Sequence, residues 1–252
     1  MGIQEICIIA IAGFCSGVIK TGVGIGSGIF LLPTLTLAFP AKIALGLGAP
    51  IMLASDVIGL CYYWRRWAPK EILAPLFIAA VAGLLTGTVL LPVIPANSFR
   101  AGVGIFGMLY AVSMLWPAFP VVSVCKKVSS VLNERHVYNR VYIYGAVGGL
   151  VTVLAHAGGL VWSLYLLTEL KDKRIFVGTT ILLFFFTNIY KTVAYIYLEI
   201  LSVKAVISML PVIPAIFIGN YIGNRANLKL NNVLFKKIVL IIIFIVSFKM
   251  CL

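Results

Sequence analysis

Four ionisable residues stand inside long apolar runs of this chain: Lys20, Asp56, His156 and Lys191. An unpaired charge at the centre of a bilayer costs at least about 2.5 kcal/mol, so charged side chains there usually face the protein interior and pair. We therefore expect Asp56 to partner Lys20 or Lys191, either as a structural ion pair or as a proton-coupling carboxylate. His156 either donates to an anion and relays a proton, or is a neutral histidine held by a backbone carbonyl.

Lys20 and His156 each lie in a segment unusually rich in glycine. The first segment reads GVIKTGVGIGSG over residues 17–28, and the second reads GGLVTVLAHAGG over residues 148–159. Each glycine weakens a helix by about 1 kcal/mol relative to alanine, so both helices are predicted to break there. A break exposes backbone N–H groups at the positive end of the next helix, which suits an anion. The alternative is that the glycines only allow close helix packing, with Lys20 reaching an interface.

The two predicted helix breaks and the apolar span around Asn188 together define a candidate anion site. Asn188 lies one helical turn before Lys191, on the same face of a helix. The candidate substrate-binding residues are Lys20, Thr21, Gly24, Gly26, Ser27, Gly28, His156, Gly158, Gly159, Asn188 and Lys191. Asp56 and His156 are the candidate proton-coupling groups.

The sequence carries no pattern typical of an enzyme. It has no nucleophile elbow and no phosphate-binding lysine loop. Its five cysteines are scattered without metal-ligand spacing. We therefore predict no catalytic residues, no metal and no cofactor.

The composition indicates an integral membrane protein. Of the 252 residues, 62% are hydrophobic and 11% charged, against about 45–50% and about 25% in soluble domains. The net charge of +13 comes from basic residues between apolar runs, which favours cytoplasmic loops under the positive-inside rule over nucleic-acid binding. The expected partners are a small anionic substrate and the lipid bilayer, with a homodimer left open. The expected location is the bacterial inner membrane, crossed several times.

The chain also repeats itself. A shift of 132 residues places Asp56 on Asn188, and it aligns further pairs in unbroken order: Gly13 with Gly145, Gly17 with Gly149, Gly26 with Gly158, Gly46 with Gly178, and Tyr63 with Tyr195. A shift of 136 residues then aligns Pro75 with Pro211, Gly83 with Gly219, and Gly87 with Gly223. The Gly-xxx-Gly spacing lets two helices approach closely.

We interpret the repeat as two transmembrane halves, 1–116 and 141–252, joined by a basic cytoplasmic linker over residues 117–140. Each half is predicted to hold one glycine-rich hairpin of broken helix and three plain spans. Hairpins place fourteen lysines and arginines on one side of the membrane and four on the other, namely Lys42, Arg100, Lys204 and Lys249. An odd number of crossings per half makes the halves inverted repeats, a known transporter architecture. The predicted fold is thus an all-α polytopic membrane protein.

Two longer runs resemble a known family. GFCSGVIKTGVGIGSGIFLLP, residues 13–33, resembles the first-repeat motif of the sulfite exporter TauE/SafE family, and GGLVTVLAHAGGLVWSLYLL, residues 148–167, resembles its second-repeat motif. The resemblance covers nearly the whole chain. It implies secondary transport of small sulfur-containing anions such as sulfite, sulfonates or sulfoacetate.

We therefore predict an ion-coupled anion transporter with alternating access. A passive anion channel would use the same residues as a selectivity ring. A membrane-embedded scaffold or enzyme subunit is a third interpretation, in which no anion crosses the membrane and the intramembrane lysines have no function.

Overall fold

The computed structural model describes residues 2–24, 27–115 and 137–229, together with Ile241, Phe244, Ile245 and Phe248. All the regular elements in these ranges are helices. Those of the first half are α1 (Ile3–Val23), α2 (Ser27–Leu35), α3 (Ala41–Tyr62), α4 (Lys70–Leu90) and α5 (Ala96–Leu115). Those of the second half are α6 (Val137–Ala155), α7 (Gly158–Glu169), α8 (Lys173–Tyr197), α9 (Val203–Ser208), a 3-10 turn (Leu210–Val212) and α10 (Ile213–Lys229).

Five helical stretches in the described residues are long and apolar enough to cross a membrane. Large apolar side chains cover the outer surface, with Val93 77% and Ile78 65% exposed, while Lys20 is 1% exposed. A soluble protein would show the reverse distribution. The chain is therefore an all-α, multi-pass membrane protein, as predicted.

Both glycine-rich segments break where the sequence predicts. The first breaks between α1 and α2, and the second between α6 and α7. Helix α2 has nine residues, which at 1.5 Å per residue span about 14 Å and cannot cross a hydrocarbon core of about 30 Å. Helix α7 folds back along α6, and this places Trp162 on α7 where it donates to the Gly145 carbonyl of α6 at 3.4 Å. At both breaks the short helix is the one that follows the break, α2 or α7. Helix α1, with 21 residues, is of full spanning length.

Glycines bring two pairs of helices into close contact. On α4, a Cβ built at Gly83 would overlap the Ala146 carbonyl of α6, and one at Gly149 of α6 would overlap the Ala80 carbonyl of α4. The α1–α10 pair repeats this, since a Cβ at Gly219 would overlap the Phe14 carbonyl. In each pair the residue numbers of the contacts rise together, so the helices run parallel. These are the small-residue interfaces that helices use in lipid.

Replacing Gly149 with alanine is expected to lower the stability of the protein by about 1–3 kcal/mol, the usual cost of overpacking. The gain in helix propensity, at most about 1 kcal/mol, is smaller than this cost. The overlapping atom belongs to the backbone and cannot rotate away from the new Cβ. Thermal unfolding in detergent measures the effect. Gly102→Ala is the matched control, because nothing lies within 4 Å of a Cβ at Gly102. Equal melting temperatures for the two variants would contradict the predicted packing.

Helices α3 and α8 cross at the centre of the molecule and run antiparallel. Gly46 packs on Ile200 near one end, with 2.9 Å from its built Cβ to the Ile200 carbonyl oxygen. Near the other end, the Ala68 amide beyond α3 donates to the Thr179 hydroxyl at 2.8 Å. Between these points Asn188 donates to Asp56, its own counterpart in the 132-residue repeat. This hydrogen bond thus joins two residues that the 132-residue shift aligns.

Two further features recur at the same interval. Tyr63 donates to the Thr21 carbonyl at 2.8 Å, and Tyr195 donates to the Val153 carbonyl at 2.6 Å, each across 42 residues. Tyr195 and Val153 are the residues that the 132-residue shift places on Tyr63 and Thr21. The repeat in the sequence thus corresponds to matched contacts in the structure.

The predicted span over residues 205–224 lies within Val203–Asn227, a stretch long and apolar enough to cross a membrane. It is interrupted by the 3-10 turn at Leu210–Val212, because Pro211 has no backbone N–H to continue a helix. Most of the predicted linker, residues 117–136, lies outside the described residues, as does most of the last predicted span over residues 238–252.

Candidate functional site

The first helix break is closed by a left-handed glycine. Gly24 has φ 82° and its N–H donates to the carbonyls of Lys20 at 2.9 Å and Ile19 at 3.3 Å. Glycine adopts this conformation without the steric penalty of a side chain, which is why it so often ends helices. Its amide therefore caps α1 in this structure instead of pointing to a ligand. Gly26 lies outside the described residues.

The second break uses a histidine for the same purpose. His156 has φ 52°, a conformation that L residues with a Cβ seldom adopt, and it lies 132 residues after Gly24. Its amide donates to the Thr152 carbonyl at 3.1 Å, and α7 begins two residues later. Residues other than glycine that adopt this strained, positive-φ conformation are often found at functional sites.

The two helix breaks meet. A Cβ built at Gly28, in the first turn of α2, would overlap the His156 carbonyl and lie 2.7 Å from the His156 Cβ. Gly48 on α3 leaves space for the imidazole, since its built Cβ would lie 2.6 Å from Nε2. Glycine at both positions is thus required by the close approach of the second break to α2 and α3.

Lys20 and Asp56 form a buried ion pair beside the first break. Lys20 Nζ lies 2.5 Å from Asp56 Oδ1 and donates to the Met52 carbonyl at 3.1 Å. The other carboxylate oxygen, Oδ2, accepts from Asn188 Nδ2 at 2.6 Å. The Lys20 ammonium also lies 5.3 Å from the centre of the Phe184 ring, within the range of a cation–π interaction. The sequence predicted that Asp56 would pair with either Lys20 or Lys191, and in the structure it pairs with Lys20.

Lys191 is placed in a second cluster beside the His156 break. Its ammonium donates to the Thr152 hydroxyl at 3.2 Å and to the Thr152 carbonyl at 3.4 Å, and it lies 2.8 Å from His156 Nδ1. A charged lysine has only donors, so when Lys191 is protonated Nδ1 accepts and the ring proton resides on Nε2. This agrees with the other contact of the ring, in which Nε2 lies 2.9 Å from the Leu45 carbonyl.

The two clusters share one face of α8. Phe184, Asn188 and Lys191 are spaced four and three residues apart, so they lie above one another on that helix. All three are buried. The site is therefore a single buried polar region that runs from Lys20 to His156 along α8.

The charges of this region do not cancel. The positive charge of Lys20 is balanced by Asp56, whereas Lys191 forms no ion pair within the described part of the chain, and its three contacts are to neutral groups. The Oδ1 atom of Asn188, buried beside it on α8, also accepts no hydrogen bond from the described residues. With Lys191 protonated, the region thus carries one excess positive charge.

The other predicted residues have structural contacts. The Thr21 hydroxyl donates to the Asn220 carbonyl of α10 at 2.8 Å and so joins two helices. Gly158 packs against Gly148 of α6, and a Cβ at Gly159 would lie 2.6 Å from the Phe184 ring. Ser27 is buried at the start of α2.

Sequence reasoning missed four contributors to the site: Thr152, Phe184, and the carbonyls of Met52 and Leu45. Thr152 could have been found from the repeat, because the 132-residue shift places Lys20 on it. A backbone carbonyl leaves no signal in a sequence, since any residue supplies one. Phe184 is one of fifteen phenylalanines, and nothing in its type separates it from those facing lipid.

Comparison with known proteins gives one family. A family model described as Sulfite exporter TauE/SafE matches residues 9–250. No match was found among curated proteins or among solved structures. The matched range includes both helix breaks and every residue of the polar region.

Proposed function

Because this chain belongs to the sulfite exporter TauE/SafE family of membrane transporters, we propose that it is a secondary active transporter of small sulfur-containing anions in the cytoplasmic membrane. Its substrates are sulfite, sulfonates, sulfoacetate or close relatives. Transport in either direction is coupled to an ion, and the coupling ion that the site favours is the proton.

The absence of a carboxylate partner for Lys191 among the described residues is the observation that carries this proposal. A buried ammonium without a carboxylate is expensive in a medium of low dielectric constant. Its three donors point to Thr152 and His156, which are neutral and can release it. A small anion supplies the missing counter-charge, and charge-assisted hydrogen bonds to it are shorter and stronger than those to neutral acceptors.

The second break offers a route for proton coupling. His156 Nδ1 accepts from Lys191 in this structure. An anion that draws the Lys191 ammonium away leaves Nδ1 free to take a proton while Nε2 keeps its contact with Leu45. Anion and proton can then load together, which reduces the charge moved across the membrane. Asp56 is the alternative coupling group, although its two oxygens are held by Lys20 and Asn188.

The antiparallel crossing of α3 and α8 supports alternating access. These helices are equivalent in the 132-residue repeat and run in opposite directions, which is the relation that inverted halves require. We infer that the two halves exchange conformations around the Asp56–Asn188 contact. The halves 1–116 and 141–252 are the units of this inversion.

Uphill accumulation separates this function from a passive anion channel. Purified protein is first screened for thermal stabilisation by sulfur oxyanions, sulfonates and carboxylates, because a ligand that binds the folded state raises the melting temperature. The best ligand is then offered to proteoliposomes with and without an imposed proton gradient. We expect accumulation above the external concentration that a proton ionophore abolishes.

Equilibration that stops at equal concentrations on both sides, with or without the gradient, would favour the channel instead. Vesicles without protein control for leakage of the anion. A protein that no anion stabilises and that moves none of them would refute the transport proposal.

A further inference from the structure

The charges around the site indicate the number of charges on the substrate as well as their sign. Lys20 and Asp56 lie 2.5 Å apart and cancel. His156 is neutral, because Nδ1 accepts from Lys191 while Nε2 faces the Leu45 carbonyl. The other titratable group against the imidazole is Tyr195, whose ring centre lies 6.2 Å away and whose hydroxyl donates to Val153.

Resting on the proposed function, we infer that the site is matched to a singly charged anion and that Asp56 sets this preference by cancelling Lys20. Until His156 takes up a proton, one positive charge, on a protonated Lys191, remains to be neutralised by the anion. A doubly charged anion would leave one negative charge uncompensated in a buried region, where uncompensated charge is costly.

The repeat identifies Asp56 as the residue that sets the charge count. Its counterpart is Asn188, which has the same shape without the charge, and the two side chains touch. Asp56→Asn would therefore raise the excess charge from one to two while leaving the volume unchanged. The Oδ1 atom of Asn188, which accepts no hydrogen bond from the described residues, can accept from the new amide if the Asn188 side chain flips. The variant keeps these hydrogen bonds but leaves the Lys20 charge without its counter-ion, so we expect it to fold with a lower melting temperature than the wild type.

Two anions of similar size test the charge count. Isethionate, a hydroxyethyl sulfonate, carries one negative charge, and sulfoacetate, with a carboxylate in place of the hydroxymethyl group, carries two at neutral pH. Transport of each is measured at equal concentration in proteoliposomes of the wild type and of Asp56→Asn. We expect the wild type to favour isethionate. The variant should shift the ratio toward sulfoacetate by at least about tenfold, the change that corresponds to 1.4 kcal/mol.

Asp172→Asn is the matched control. It makes the same substitution and the same change in net charge at the exposed start of α8, where the side chain caps the Arg174 and Ile175 amides. Asparagine caps as well as aspartate, so this variant should keep the wild-type ratio. An equal shift in both variants would assign the effect to surface charge and overturn the inference.

The double variant Lys20→Met/Asp56→Asn makes the test independent of the stability of Asp56→Asn alone. It removes one charge of each sign, so one excess positive charge remains and the preference for isethionate should return. A double variant that retains the sulfoacetate preference would overturn the charge count. Wild-type protein that carries both anions equally well would also overturn it, while leaving the transport proposal intact. Wild-type protein that carries neither, nor any anion of the screen, would refute the transport proposal itself.

Discussion

Replacing Lys191 with methionine is expected to reduce anion transport by about a hundredfold. The variant loses a charge-assisted hydrogen bond to the substrate, worth up to about 3 kcal/mol, and with it the excess charge of the site. Folding should survive, because Lys191 forms no salt bridge with a carboxylate of the described residues and its partners Thr152 and His156 are neutral. Methionine also fills nearly the same volume as the lysine stem. Initial rates of uptake into proteoliposomes, normalised to inserted protein, give the effect.

Lys171→Met provides the control for this experiment, since it removes the same charge from an exposed position just before α8. The control should transport at the wild-type rate. Binding of the anion, followed by thermal stabilisation, should be lost together with transport in Lys191→Met alone. Unchanged flux in that variant would remove Lys191 from the site and with it the main support for an anion substrate.

The sequence was sufficient to predict where the helices break. Glycine is so costly inside a helix that its density at residues 17–28 and 148–159 marked both breaks, and the repeat predicted that they would be equivalent. The structure places Gly24 and His156 at corresponding positions, both with positive φ. Local backbone preferences therefore determined this part of the fold, and local preferences can be derived from residue types.

The distribution of charge within the site could not be predicted in this way. Asp56 had two candidate partners, and the choice of Lys20 over Lys191 depends on how α1, α3 and α8 are rotated about their axes. That rotation follows from packing of the glycine faces, such as Gly17 of α1 against Asn220 of α10. Packing of this kind joins residues that are far apart in the chain. The sequence therefore identifies the charged residues but does not show which of them lack a counter-charge.

Replacing Lys20 is expected to lower the stability of the protein strongly, whereas replacing Lys191 is expected to leave folding intact. Lys20→Met leaves Asp56 buried without its cation, and removing one member of a buried ion pair costs about 3–5 kcal/mol. We therefore expect a large loss of stability, visible as a lower melting temperature in detergent, together with loss of anion binding because the excess charge falls to zero. Asp56→Asn in the same background removes the orphaned charge and should restore most of the stability. The two substitutions are thus expected to be strongly non-additive.

Non-additivity distinguishes an ion pair from two residues that merely pack. Lys20 and Asp56 are each nearly inaccessible to solvent, so loss of packing alone would lower stability in the single variants and lower it further in the double variant. An ion pair predicts the reverse order, with the double variant more stable than Lys20→Met. Lys191→Met/Asp56→Asn is the matched comparison, because Lys191 forms no salt bridge with Asp56, so Asp56→Asn should restore less stability here than it does in Lys20→Met. If Lys20→Met proved as stable as the wild type, Asp56 would have to find its compensation elsewhere, and the charge balance of the site would need to be assigned anew.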